Sequence, residues 1–112
     1  MATKPKAPKI TRIIKRREDY VLEITFRDKN GDPIDVSART FSCKIAQSYG
    51  GAVTTLTPSL GLAAQGLVSF SLAKATTTGL ALGDWIGEVW QTVAGADSPI
   101  LEIAYTVEDS LG

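Results

Sequence analysis

Apolar residues alternate with polar ones through most of this chain, and the alternation predicts strands. Tyr20, Leu22, Ile24 and Phe26 are apolar at every second position, with Val21, Glu23, Thr25 and Arg27 between them. Phe41, Cys43 and Ile45 repeat the pattern, as do Val68, Phe70 and Leu72. In the last segment Leu101, Ile103, Tyr105 and Val107 alternate with Glu102, Ala104, Thr106 and Glu108. A period of two places each set on one face of a strand, so these strands have one buried and one exposed face.

The pattern predicts strands over about 20–27, 40–47, 53–57, 67–72, 85–93 and 100–108, with Pro58 closing the third. Asp28-Lys-Asn-Gly-Asp-Pro33 is turn chemistry: Asn30-Gly31 tolerates positive φ and Pro33 interrupts the ladder. Lys74 to Leu80 is poor in strand signal and reads as one helical turn crossing between sheets. Ala94 to Ser98 reads as a turn before Pro99. About six to eight short strands with regular turn signals predict an all-β, antiparallel sandwich, Ig-like or jelly-roll in type.

Charge divides the chain. Residues 1–17 carry Lys4, Lys6, Lys9, Arg12, Lys15, Arg16 and Arg17 and no acid. Residues 18–112 hold five basic against twelve acidic side chains, a net of −7. With Pro5 and Pro8 blocking helix, 1–17 reads as an extended basic N-terminal arm on an acidic sandwich domain, 18–112. Ile10, Ile13 and Ile14 interleave with the basic residues, so the arm is expected to dock on an apolar protein surface. A solvated terminus and a nucleic-acid contact are the other two readings. The arm has no aromatic residue for stacking, which argues against nucleic acid.

Five positions separate Trp85 from Trp90, so the two fall on opposite faces of one strand. With Trp85 and Val89 inward, Ile86 and Trp90 point outward, either as an interface anchor or beneath an overlying loop or the arm. Trp90 with Tyr49 is also the place for a sugar platform.

The candidate chemistry is thin. There is no histidine and one cysteine, which removes triads, thiol dyads and zinc sites. Cys43 shares the face of Phe41 and Ile45 and reads as a small core residue. Asp28, Asn30, Asp32 and Asp35 resemble a calcium loop, but an EF-hand needs its Gly two positions beyond Gly31 and a distal Glu. Turn capping is the simpler role. No apolar run reaches the ~20 residues of a membrane span, and no signal-peptide h-region follows the basic start. The expectation is a non-enzyme with no cofactor, no metal and no membrane.

The order of motifs resembles a β-sandwich family of tailed-phage virion proteins, including the N-terminal domain of upper-baseplate proteins. Its acidic-aromatic entry is Arg17-Glu-Asp-Tyr20 and its D-x-x-G-x-P-x-D-[LVI]-[ST] connection is Asp28, Gly31, Pro33, Asp35, Val36 and Ser37. Phe41-Ser-Cys-Lys-Ile45, Gly66 to Leu72 and Gly83-Asp-Trp85 supply the later strands. Ser37-Ala-Arg39 departs from the usual Thr-Gly. The resemblance implies a virion structural or adaptor protein of the tail or baseplate, assembled in the host cytoplasm with other virion proteins. A homo-oligomer, built by the arm of one copy on the acidic body of the next, follows naturally. A head decoration protein and a carbohydrate-binding module for host attachment are the alternatives.

Overall fold

The computed structural model describes residues 7–110. Seven strands form one hydrogen-bonded ladder: β1 (Lys9–Lys15), β2 (Tyr20–Thr25), β3 (Thr40–Ala46), β4 (Val53–Ser59), β5 (Leu67–Leu72), β6 (Gly83–Val93) and β7 (Ala96–Glu108), in the order β1-β7-β6-β3-β4-β5-β2. The ladder folds at β4. Cys43 to Ala46 pair with Val53 to Leu56, whereas Thr57 to Ser59 pair with β5. Five strands thus make one layer and β4-β5-β2 the other.

The two layers close on each other. Tyr20, at one end of the ladder, and Tyr105, near the other, touch edge to face with ring centroids 5.6 Å apart and hydroxyls 2.9 Å apart. Between the layers lie Leu22, Val68, Phe70 and Leu72 from one and Ile14, Cys43, Ile45, Leu56, Trp85, Val89, Ile103, Tyr105 and Val107 from the other. The alternating positions predicted to face inward form this core. The fold is an all-β sandwich of immunoglobulin-like strand order.

The sequence reading needs three corrections. First, residues 9–15 are not an arm: they form β1, in parallel register with β7 from Lys9↔Glu102 to Lys15↔Glu108. Ile10 and Ile14, four residues apart, fall on the same face of this strand and turn into the domain's own core, where Ile14 is fully buried. The boundary at 17 therefore cuts through the sandwich, and the sheet contains a parallel pair. Second, β7 starts at Ala96, because Ala94-Gly95, both at positive φ, make a two-residue hairpin loop. Pro99 lies opposite Trp90 where the register shifts between Val89 and Trp90, a bulge that tolerates its missing N–H. Third, Pro58 lies inside β4, at the point where the strand leaves β3 for β5.

A short helix, α1 (Lys74–Thr78), crosses between the layers as expected. Asp19 Oδ1 accepts from the Lys74 N–H at 2.7 Å, and the buried Thr77 hydroxyl donates to the Glu18 carbonyl at 2.8 Å. Both bonds fasten α1 to the Arg16–Asp19 connection between β1 and β2. The Asp28 turn is likewise self-contained, since Asp28 Oδ1 accepts from the N–H groups of Asn30 (2.8 Å) and Asp32 (3.0 Å).

Candidate interaction surface

The outer face of the five-stranded layer is the candidate site. Its residues are those that alternate with the buried set, and the registers place them in rows across the strands. Thr11, Ala104, Ile86, Ala46 and Val53 lie side by side on β1, β7, β6, β3 and β4. One row over, Lys9, Glu102, Glu88 and Lys44 form a charged line of sign +−−+. On the other side lie Ile13, Thr106 and Asp84. An apolar row is thus bordered by polar ones.

Two alanines give this row its relief. Ala104 and Ala46 flank the larger Ile86, so the sheet dips on either side of it. An open concavity of about 850 Å³ is bounded by Thr11, Ile13, Gln47, Asp84, Ile86 and Ala104. A smaller one of about 170 Å³ lies towards Tyr49 and Val53. Trp90 stands at the far end of β6, 37% exposed, beside a third depression of about 370 Å³ lined by Ser42, Lys44, Glu88, Thr92 and Asp97.

Ile86 and Trp90 therefore both project from the outer face, as their spacing predicts; Ile86 is half-buried by its neighbours and Trp90 is exposed. The basic residues separate into groups. Lys15 Nζ donates to Glu108 at 2.7 Å, and Arg17 donates to Asp109 at 2.8 Å and to the Ser110 carbonyl at 2.6 Å. Arg16 donates to the Thr78 carbonyl. These three serve the domain's own C-terminal strand and helix, because a parallel β1–β7 pair brings the basic strand end beside acidic Glu108 and Asp109. Ile14 is in the core and Ile10 packs against it. Lys9, Arg12 and Ile13 are left on the surface. Lys4 and Lys6 lie outside the described residues.

Titratable groups are perturbed only where the fold demands it. Burial pushes the Cys43 thiol up to about 12, so it is a protonated core side chain. Burial also raises Tyr105 and Tyr20. The Ser37 hydroxyl and N–H, both donating to Asp35, hold that carboxyl below its usual range. Among the described residues no three His, Cys, Asp or Glu side chains converge as metal ligands would. No described helix is long and apolar enough to cross a membrane.

Sequence reasoning missed two features here: the alanine pair beside Ile86, and the arrangement of five strands into one face. The small outward residues were visible as Ala46 and Ala104, but only register shows that they flank one isoleucine.

The immunoglobulin-like sandwich with an open outer sheet face defines the class of this protein by fold. No protein-family model and no curated protein matches the chain. Among solved structures it is similar to the Lin-41 filamin domain, at 18% identity over 83% of this chain and 81% of that one, with a TM-score of 0.48.

Proposed function

We propose that this chain is a structural or adaptor subunit of a phage particle, in the tail or baseplate region, which holds a partner protein on the outer face of its five-stranded layer. The observation that carries the docking half is the apolar row through Ile86, bordered on one side by the charged line through Glu88, beyond which Trp90 stands exposed on the same face. Such a patch has the make-up of a protein interface, with a small apolar centre and a polar rim. The phage half is supported by the motif order from Arg17 to Glu108, above all the Asp28-to-Ser37 connection. The basic residues support it less than the sequence implied, since three of them are tied within the domain. A head decoration protein would use the same face.

A second reading, a carbohydrate-binding module, is favoured by one observation: the depression beside Trp90 is lined by hydroxyl, carboxylate and ammonium groups, which suits an aromatic platform for a sugar ring.

The test is composition. Phage particles produced from the genome that encodes this chain should contain it in fixed stoichiometry. Ile86→Asp combined with Trp90→Ala should lower its incorporation at least ~10-fold, the loss of one interface hot spot, without lowering its melting temperature. Particles that lack the chain would end the phage reading. Glycan binding abolished by Trp90→Ala, with incorporation intact, would favour the second.

A further inference from the structure

Among the described residues both ends of the ladder are open: β1 pairs there only with β7 and β2 only with β5, and the two strands terminate the order. Open edges carry unpaired backbone groups that template pairing with another chain. We infer that the partner of these edges is a second copy of this chain, with β1 of each copy pairing antiparallel to β2 of the other.

Backbone parity comes first. The Pro8 carbonyl accepts from Glu102 and the Arg16 N–H donates to Glu108, so even-numbered residues of β1 direct their backbone groups to β7. Those of Lys9, Thr11, Ile13 and Lys15 are directed to the open edge. An independent bond agrees: the Thr11 carbonyl accepts from Arg12 Nη1 at 2.8 Å rather than from a strand. On β2 the Phe26 N–H donates to the Gly66 carbonyl, which extends the β2–β5 register and turns even-numbered residues to β5. Val21, Glu23 and Thr25 direct theirs outward to the edge.

Symmetry then sets the register. Following the ladder from strand to strand, β1 and β2 run in opposite directions, and only Arg16–Asp19 separates them. They are the neighbouring edges of two layers on one side of the sandwich. A two-fold axis parallel to the strands therefore sets β1 of one copy beside β2 of the other, antiparallel, at equal height. The short connection puts Ile14 and Tyr20 at similar heights. Parity then selects Ile13 opposite Val21, Thr11 opposite Glu23 and Lys9 opposite Thr25. The five-stranded layer of each copy continues into the three-stranded layer of its partner.

The side chains fit this pairing. Ile13 and Val21 are 52% and 54% exposed, β-branched, and both on the outer side of an open edge. The register makes them a cross-strand pair, and brings Lys9 to the diagonal of Glu23, within reach of a long side chain. The Glu23 N–H replaces the Arg12 guanidinium on the Thr11 carbonyl. Pairing β1 antiparallel with another β1 about Arg12 would instead set Arg12 against its copy and Lys9 against Lys15, so charge selects the mixed pair.

The inference stands apart from the phage reading, since a chain that never enters a particle could still dimerise this way. It is tested with Ile13→Cys and Val21→Cys in separate full-length chains, the native Cys43 being buried. Residues opposed in a hydrogen-bonded pair have Cα atoms about 5.5 Å apart, which a disulfide spans. Mixed under oxidised glutathione, the two variants should cross-link at least tenfold faster than either alone. On the unlabelled chain, sedimentation should show a dimer that Glu23→Lys weakens and added Lys9→Glu restores. A monomer from micromolar to millimolar concentration overturns the inference. So does self-cross-linking of either variant as fast as the mixture, or a dimer indifferent to both charge changes.

Discussion

Gly66 shows how one residue can close a connection. It sits at φ +80°, and a Cβ built there would lie 2.5 Å from the Phe26 carbonyl and 3.0 Å from that of Ile34. Its own carbonyl takes the Phe26 N–H at 2.7 Å, so it cannot move away without breaking the end of the β2–β5 ladder. Gly66→Ala should destabilise the fold by more than the roughly 1–3 kcal/mol of a left-handed backbone alone, read as a lowered urea midpoint. A midpoint unchanged from the parent would refute the close approach. The tyrosine pair makes a second prediction. Burial raises both phenols, so the folded state holds their protons more tightly than the unfolded chain, whose value is near 10.0. The stabilisation is complete below that pH and is lost as pH rises above it. The buried Cys43 thiol, whose unfolded value is 9.0, holds its proton in the same way, so stability should be flat only below about pH 9 and fall more steeply beyond pH 10. Lys15, whose proton Glu108 retains, titrates in the same window, so the comparison is with Tyr105→Phe, which should fall less steeply. An identical slope would show that Tyr105 does not hold its proton.

At the scale of elements, β1 is the strand that changes the reading of the molecule. It covers β7, buries Ile14 and delivers Lys15 to Glu108 and Arg17 to Asp109. Removing residues 1–17 strips one edge from the five-stranded layer and exposes Ile103, Tyr105 and Val107 along it. A chain beginning at residue 18 should thus be less stable than the parent by more than the ~2–5 kcal/mol of an Ile-to-Ala change in a core, and Ile14→Ala alone should fall within that range. Equal denaturation midpoints for parent and truncated chain would return 1–17 to the status of an arm. The hairpin-like β1–β2 connection makes the same point from its other side. Its carboxylate and carbonyl at Asp19 and Glu18 receive α1, so β1, β2 and the crossing helix form one cooperative corner.

At the scale of the whole molecule, the sandwich separates its surfaces. One broad face carries the apolar row through Ile86 and the exposed Trp90, while the side where β1 and β2 meet carries two open strand edges of opposite charge. A face and an edge can be occupied at once, so a dimer joined at its edges would present two copies of the Ile86 face. Such a dimer would repeat one contact by symmetry.

Much of this was legible in the alternation itself. A period of two is a local property, imposed by the geometry of a single extended backbone, so the inward faces of Leu22, Cys43, Phe70 and Tyr105 follow from neighbours two positions away. The turn chemistry at Asp28 and the opposed faces of Trp85 and Trp90 are local in the same sense. Partner choice is not. Whether Ile10 and Ile14 pack against another molecule or against this one depends on β7, over ninety residues away along the chain, and nothing local distinguishes the two. The same holds for the switch of β4 between layers, for the strands Pro58 and Pro99 were expected to exclude, and for the alanines that meet beside Ile86. Strand identity was decided by the sequence within a few residues. Which strands are neighbours, and hence which surface is left open, was decided only by hydrogen-bonded pairing between distant segments.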